Sequence, residues 1–293
     1  TDFAKKVRPN VREIIDSYSL MAAIDFIRAK AELARYFKAF EPEVKAEPHI
    51  DWIRAIHPLL QLSLERKCKE RLNTSLSIEE KVSSKDTDDS LSVQERELVS
   101  EDDNTSTSVP KSVVPLDIQL TKDKYLLIIS GPNAGGKSVC LKTVGLLQYM
   151  LQCGLSIPVG DRSTTGLFSD IMIDIGDEQS IENDLSTYSS HLMNMKVMMR
   201  QASDSTLILI DEFGTGTEPQ IGGAIAEAVL KQLWEKHAWA VITTHYQNLK
   251  HFAEAHPGTA NGAMLYDRHE MRPLFQLAIG RPGSSFAIEI ARK

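Results

Sequence analysis

The chain has 293 residues, 42% of them hydrophobic, and a formal net charge of −7, so it is long enough to bury one large core or two modest ones. No apolar run approaches the roughly 18 residues of a membrane span, and the N-terminal sequence TDFAKKVRPN lacks the apolar stretch of a signal peptide. Cys68, Cys140 and Cys153 form no C-x-x-C pair, so neither a zinc site nor a disulfide framework is implied, which favours a reducing cytoplasm.

Residues 17–40 contain neither Gly nor Pro and carry apolar residues at steps of three and four, including Leu20, Ile24 and Ile27. This spacing predicts one amphipathic helix of about 20 residues that is closed by Pro42. Such a helix is too long to be covered by the short segment before it. It is expected either to pack on parts outside this chain or on a second copy, or to lie across the main domain.

The pattern of residues 48–64 predicts short strands rather than a helix, and His57-Pro58 is expected to end the element that precedes it. The segment that follows, 73–110, holds ten acidic and three basic residues, nine serines, and no Gly or aromatic residue. It therefore carries the whole net charge and cannot bury enough apolar surface to offset the entropy of ordering. We expect a disordered acidic insertion within one domain; the alternative is that SIEEKVSS and SVQERELVS form short exposed helices.

The sequence YLLIISGPNAGGKSVCLKTVG, which begins at Tyr125, combines an apolar strand, the pattern G-x-x-x-x-G-K-[ST] and a helix, and therefore predicts a phosphate-binding loop. Glycines let backbone N–H groups converge on nucleotide phosphates at the positive end of the next helix. Lys137 is expected to reach the β and γ phosphates of ATP, and Ser138 to offer its hydroxyl to Mg²⁺. The full set of expected contacts is Gly131, Pro132, Asn133, Ala134, Gly135, Gly136, Lys137, Ser138 and Val139.

Two further apolar runs predict buried strands that end in residues suited to nucleotide chemistry. The run TLILI from Thr206 ends in Asp211-Glu212, where Asp211 is expected to hold Mg²⁺ and Glu212 to polarise the attacking water. The run WAVITT from Trp239 ends in His245, which is expected to point toward the γ phosphate. With helices predicted at 139–152 and 221–236, the alternation indicates a mostly parallel α/β sheet with its ligand at the carboxyl ends of the strands.

The polar segment DIGDEQSIENDLSTYSSH, from Asp174 to His191, is expected to be a loop that leads into a helix at Ser189. Its hydroxyl residues Ser186 and Thr187 are suited to bind phosphate, because hydroxyls accept and donate hydrogen bonds without adding charge. By spacing alone the pair also fits an ordinary helix cap.

In this order, GPNAGGKS, DLSTYSSH, LILIDEFGTGTEP and TTHY resemble the ATPase domain of MutS proteins, which are relatives of the ABC-type ATPases. DEFGTGTEPQ, TTHYQNLK and the C-terminal RPLFQLAIGRPGSSFAIEIARK are similar to the second bacterial branch of that family, MutS-two, which acts in recombination control. The resemblance implies a P-loop NTPase fold of ABC type over 43–293, preceded over 1–42 by the helical end of a lever. It covers the whole chain except 73–110.

The resemblance also implies a homodimer of ATPase domains joined head to tail, with ATP and Mg²⁺ at the shared face. Ser186 and Thr187 would then complete the partner's site, and Val113 and Val114 would pack on adenine. ATP would join the two copies, and hydrolysis would change the grip of the parent protein on DNA, branched or duplex. The chain resembles an excised fragment without the family's clamp and nuclease domain, so no endonuclease activity and only weak DNA binding are expected of it.

Other functions compatible with the motifs are a nucleoside kinase, a mismatch-recognising MutS ATPase, a ribosome-associated ATPase of the same branch and a non-catalytic interaction module. A transporter or chromosome-structure ATPase would need an L-S-G-G-Q type segment, whereas LSTYSS has serines where the glycines should be. A kinase would transfer phosphate to a second nucleotide, and a non-catalytic module would show no turnover.

Overall fold

A computed structural model describes residues 2–83, 112–175, 184–215, 218–267, 270 and 272–283. The helices are α1 Asp2–Val7, α2 Val11–Phe37, α3 Pro58–Ser83, α4 Lys137–Gln152, α5 Asp184–Gln201, α6 Pro219–Glu235 and α7 Gln247–Ala255. The strands are β1 Glu43–Lys45, β2 Ile50–Ala55, β3 Leu116–Leu120, β4 Lys124–Ser130, β5 Thr164–Gly166, β6 Asp170–Asp174, β7 Thr206–Ile210, β8 Trp239–Thr243, β9 Gly258–Asp267 and β10 Arg272–Ile279. The result is an α/β fold with two units, residues 1–56 with 115–293 and residues 57–114.

The larger unit contains a six-stranded sheet in the order β10-β9-β4-β8-β7-β6. Five neighbouring strands of this sheet pair in parallel, in the order β9, β4, β8, β7 and β6, and β10 pairs antiparallel with β9. Strand β8 lies between β4 and β7, with Ile129 opposite Thr243 and Ile210 opposite Ile242. The carboxyl ends of β4, β8 and β7 therefore meet at one edge of the sheet.

The central strands form because their residues are apolar and are covered from both sides by helices. All five residues of β7 and all five of β8 are buried, as are six of the seven in β4. Helix α4 contacts β6, β7 and β8, whereas α7 contacts β4 and β9. At Gly145 in α4, an added Cβ would lie 2.8 Å from Leu209 Cδ1, so the glycine lets this helix approach β7 closely.

A second, four-stranded sheet in the order β1-β5-β2-β3 belongs to the same unit. Strand β3 alternates buried and exposed residues, with Leu116, Ile118 and Leu120 facing the core. It pairs antiparallel with β2, and β1 pairs parallel with β5. This sheet extends the hydrophobic core of the unit, because Ile50 and Trp52 of β2 are also fully buried.

Helix α2 starts earlier than the sequence pattern predicts and is 27 residues long. It ends where Lys38 adopts the left-handed conformation and Ala39 N–H donates to the Ala34 carbonyl. Phe37 is its one buried residue, and Leu20, Ile24 and Ile27 are 62%, 58% and 65% exposed. The helix therefore does not lie across the main domain.

The smaller unit consists, in its described part, of α3 and residues 112–114. The prediction of strands over 48–64 is confirmed for β2 and wrong from Pro58 onward, because α3 begins there with a proline in its first turn and continues without Gly or Pro. Helix α3 continues to Ser83 within the segment expected to be disordered, as part of one long helix rather than as a short helix over SIEEKVSS. The rest of the expected insertion, 84–110, lies outside the described residues.

A further correction concerns the start of helix α5. Helix α5 begins at Asp184 rather than Ser189, so Ser186 and Thr187 lie within its first turn. No Gly or Pro interrupts the sequence between Asp184 and Gln201. Val113 and Val114 precede β3 and are half-buried. Over the described ranges, no helix has the length and apolar character needed to cross a membrane.

Candidate functional site

A glycine-rich loop links β4 to α4 and curls tightly. Gly131 and Gly136 adopt φ values of 141° and 90°, and residues 133–135 form one turn of 3-10 helix. A Cβ at Gly136 would lie 2.9 Å from Phe275 Cδ1, so the loop passes close beneath strand β10. Glycine is required at Gly136 for two reasons, the left-handed backbone and the nearby ring.

Lys137 is the first residue of α4 and is only 2% exposed. Its Nζ donates a hydrogen bond of 2.9 Å to the carbonyl of Gly131, so the side chain folds back along the loop. Burial lowers the pKa of Lys137, and the carboxylates of Glu212 and Asp211 partly oppose that effect. The predicted phosphate-binding lysine therefore lies within electrostatic range of both predicted acidic residues.

Asp211 and Glu212 follow β7 directly and are held by the neighbouring strand β8. Thr243 Oγ1 donates to Asp211 Oδ1 at 2.5 Å and accepts from Glu212 N–H at 2.8 Å. Glu212 has a φ of 49°, which is unusual for a residue with a side chain. Thr215 closes the turn, because its N–H and its hydroxyl both donate to the Glu212 carbonyl.

His245 lies two residues beyond β8, and its Nε2 is buried with no hydrogen-bond partner among the described residues. Burial lowers the pKa of His245, Lys137 and Lys250 lower it further, and Asp211 opposes them. Its ring is thus favoured in the neutral form, next to two lysines. A buried nitrogen without a partner is costly, and a ligand that supplies a hydrogen bond would remove that cost.

Lys250 in α7 is a second buried lysine near this edge, which the sequence patterns did not single out. It is 5% exposed, and its Nζ donates to the Gly283 carbonyl at 2.9 Å. Gly283 N–H in turn donates to Ser130 Oγ at the end of β4. Burial lowers the pKa of Lys250. Lys250 therefore joins α7 to the strand that carries the glycine-rich loop.

The end of β6 carries a buried polar cluster beside Asp211. Asp174, 4% exposed, accepts from His191 Nδ1 at 2.7 Å and from Asn194 Nδ2 at 2.9 Å. The Asp174 carbonyl accepts from Asp211 N–H at 2.9 Å. The cluster thus connects helix α5 to the strand end next to the predicted metal-binding carboxylate.

The structure places the predicted residues as follows. Lys137, Asp211, Glu212 and His245 come together, whereas the side chains of Asn133, Ser186 and Thr187 lie outside the described part. Ser138 follows Lys137 in the first turn of α4, and Val139 is 41% exposed beyond it. Val113 and Val114 belong to the smaller unit.

Sequence reasoning missed Thr243, Lys250, Asp174 and His191 as members of this region. A threonine pair at the end of WAVITT was one available signal, because a polar residue that ends a buried strand lies at the ligand edge. The carboxylate of Asp174, which ends β6, was another available signal. Lys250 gave no signal, since a lysine in an exposed-looking helix is usually solvated.

The residues at this edge of the sheet fit a nucleoside triphosphate with a magnesium ion. A glycine cradle, a buried lysine and a buried imidazole nitrogen without a partner favour an anion. No group of three or more His, Cys, Asp or Glu among the described residues would hold a metal ion by itself. Magnesium would therefore depend on Asp211, Ser138 and phosphate oxygens, as is usual for an ion that binds with its nucleotide.

Comparison with known proteins assigns the family. The profile of MutS domain V matches residues 127–293, which is more than half of the chain and includes the whole region from the glycine-rich loop onward. The chain belongs to the MutS family. The MutS domain V match begins within β4 and so contains Lys137, Asp211, Glu212 and His245, but not Val113 and Val114.

Relatives of this MutS-family chain include three proteins called Endonuclease MutS2. The protein of Latilactobacillus sakei is 35% identical over 292 residues, that of Carboxydothermus hydrogenoformans 36% over 291, and that of Thermomicrobium roseum 37% over 281. These alignments cover 100%, 99% and 96% of this chain. The chain corresponds to 31% of each relative's length.

Proposed function

We propose that this chain is the ATP-binding and hydrolysing part of a MutS-family protein that acts on DNA in recombination control or repair. In this proposal residues 43–293 form a P-loop ATPase domain of ABC type, and 1–42 form the end of a helical lever. The observation that carries it is the convergence of Lys137, Asp211, Glu212 and His245 at the carboxyl edge of adjacent parallel strands. Ligands bind at that edge in open α/β sheets.

The glycine-rich loop and Lys137 bind the phosphates in this mechanism. Backbone N–H groups of 131–138 and the amino end of α4 attract the triphosphate. Lys137 exchanges its bond to the Gly131 carbonyl for the β and γ phosphates, which offset the cost of burying its charge. Bound Mg²⁺, held by Ser138 and Asp211, would neutralise charge that develops on the phosphate oxygens.

Glu212 acts as the general base that orients and polarises the attacking water. Its backbone is fixed in the left-handed conformation by Thr243 on its N–H and by Thr215 on its carbonyl. A fixed backbone limits where the carboxylate can point, and orientation is a large part of what a general base supplies. His245 donates a hydrogen bond to the γ phosphate through its Nε2–H, which has no partner among the described residues.

A second copy of the chain completes each site in this proposal. Ser186 and Thr187, in the first turn of α5, bind the γ phosphate held by the partner. ATP then links the two copies, and hydrolysis releases them. Parts of the parent protein outside this chain would convert the cycle into a changed grip on DNA.

The relatives' name, Endonuclease MutS2, supplies no nuclease role for these residues. The chain spans under a third of those proteins, and their endonuclease activity is not assigned to it. Their name favours the MutS-two branch over a mismatch-recognising MutS. A ribosomal target for the parent protein is the alternative to DNA. Comparing how tightly the parent protein binds purified ribosomes and branched DNA distinguishes the two.

Steady-state hydrolysis of ATP tests the proposal directly. Phosphate release should require Mg²⁺ and should rise more steeply than linearly with protein concentration, because each site needs two chains. Glu212→Gln should lower the rate by roughly two orders of magnitude or more. Glu235→Gln, an exposed glutamate in α6, is the matched control and should leave the rate unchanged. Phosphate transfer to a second nucleotide, or turnover per chain independent of concentration, would contradict the proposal.

A further inference from the structure

The cluster of Asp174, His191 and Asn194 has no role in the chemistry described above. Both donors to the Asp174 carboxylate come from α5, at positions three residues apart, so they lie on one face of the helix. A carboxylate that is 4% exposed needs such donors, because an unsatisfied buried charge is costly. The pair of bonds therefore fixes how α5 is rotated against the end of β6.

The backbone of Asp174 is hydrogen-bonded to Asp211, the residue that follows β7. Its carbonyl accepts from Asp211 N–H, and Asp174 lies opposite Ile210 in the parallel pairing of β6 and β7. Any displacement of α5 is thus opposed by the strand end that carries Asp211 and Glu212. A continuous set of hydrogen bonds runs from Asp211 through Asp174 to His191.

Core packing also holds α5, and Leu192, next to His191, is partly buried against the core. Met195 and Met198, 5% and 3% exposed, pack in the hydrophobic core and hold the carboxyl-terminal half. His191 lies on the amino-terminal side of these methionines, one helical turn after Thr187 and five residues after Ser186. His191 therefore links α5 to the end of β6 close to the hydroxyl pair.

We propose that His191 is a positioning residue: through Asp174 it holds the first turn of α5 where Ser186 and Thr187 can complete the partner's site. This inference rests on the shared site of the proposed function. It assigns His191 an effect on hydrolysis in the neighbouring chain rather than in its own. A purely structural histidine would affect both chains alike.

Mixtures of two inactive variants separate these cases. One chain carries Ser186→Ala with Thr187→Ala and keeps its own phosphate loop and Glu212; the other carries Glu212→Gln and keeps its hydroxyl pair. Each alone should be nearly inactive, and the mixture should regain hydrolysis at the first chain's site. His191→Leu is then added to one chain or to the other.

His191→Leu added to the Glu212→Gln chain should reduce the activity of the mixture by roughly tenfold, a loss of about 1.4 kcal/mol in transition-state stabilisation. Added to the Ser186→Ala, Thr187→Ala chain, it should change the activity less than about twofold, since that chain's helix is already inactive. His191→Asn, which keeps a donor near the position of Nδ1, should restore most of the loss. Met193→Ala, an exposed residue of the same helix, should have no effect in either chain.

Two outcomes would overturn the inference. Equal losses in both placements, or no loss in either, would show that His191 does not act across the dimer. A mixture that regains no hydrolysis before His191 is changed would instead overturn the shared site of the proposed function, and the inference would fall with it. Urea unfolding of each variant checks that the losses do not come from unfolded chains.

Discussion

Thr243 donates its hydroxyl to the carboxylate of Asp211 and accepts the backbone N–H of Glu212, so one buried side chain on β8 holds both acidic residues that follow β7. Parallel pairing makes this contact possible, since Thr243 is also opposite Ile129 at the end of β4. The threonine therefore lies between the strand that leads to the phosphate loop and the strand that leads to Asp211 and Glu212. It sets the spacing between the two halves of the site.

Thr243→Val should impair both hydrolysis and the stability of the fold. The variant leaves a buried N–H without its acceptor, at a cost of about 1–3 kcal/mol in the free energy of unfolding. It also frees Glu212 to turn away, which should lower kcat by roughly 10- to 100-fold. Thr243→Ser keeps the hydroxyl and should recover most of both losses. Urea unfolding and phosphate release measure the two effects; wild-type kcat in Thr243→Val would exclude the orienting role.

Lys137→Met should weaken nucleotide binding without destabilising the free protein. A buried lysine whose pKa is lowered by burial is a cost to folding, so the midpoint of thermal unfolding should stay unchanged or rise. Loss of the charged contact should weaken Mg·ATP binding by about 3 kcal/mol, or roughly a hundredfold in Kd.

Thermal unfolding with and without Mg·ATP checks this prediction. The wild-type chain should unfold at a higher temperature when the nucleotide is present, and the Lys137→Met variant should not. Lys142→Met, at an exposed position of the same helix, is the control and should keep the nucleotide-dependent rise. Equal rises for wild type and Lys137→Met would remove Lys137 from the binding site.

Gly136→Ala should cost more stability than Gly280→Ala. Both glycines have a left-handed φ, 90° and 97°, so each substitution introduces backbone strain of about 1 kcal/mol. A Cβ at Gly280 would have no neighbour within 4 Å, whereas one at Gly136 would meet the ring of Phe275. The difference in the free energy of unfolding isolates that contact. Equal costs would mean that Phe275 moves aside freely.

His245→Asn should make the protein less sensitive to mild acid. Burial holds the pKa of His245 below its usual value of 6.5, so above pH 6.5 the ring is neutral in both folded and unfolded chains. As the pH falls below 6.5 the unfolded chain binds a proton that the folded chain does not, and the folded state loses stability. Urea unfolding at pH 7.5 and 5.5 should give a smaller difference in His245→Asn than in wild type. His251→Asn, at an exposed position, is the control.

The central strands and the phosphate loop could be predicted because their signals are local. Four consecutive apolar residues after Thr206 and the spacing of Gly131, Gly136 and Lys137 suffice to indicate a buried strand and a glycine-rich turn. The pairing of parallel strands then placed Asp211, Glu212 and His245 at one edge. The direction of the chain alone determines which edge of the sheet carries these residues.

The supporting contacts could not be predicted because they join residues far apart in sequence. Thr243 and Asp211 are 32 residues apart, and Lys250 and Gly283 are 33 apart, so no short pattern relates them. Helix α3 was missed because Pro58 was interpreted as a break, whereas a proline in the first turn also begins a helix. The start of α5 was misplaced because its Ser, Thr and Asp residues suit a loop as well as a first turn.

The central claim is that Mg·ATP is bound between the phosphate loop and the Asp211-Glu212 pair of one chain and joins it to a second. Sedimentation velocity of Glu212→Gln, with and without Mg·ATP, tests that claim most directly, because the variant should bind ATP but hydrolyse it very slowly. We predict a monomer without nucleotide and a dimer with it, and a monomer under both conditions when Lys137→Met is added. An unchanged sedimentation coefficient on addition of saturating Mg·ATP would contradict the account.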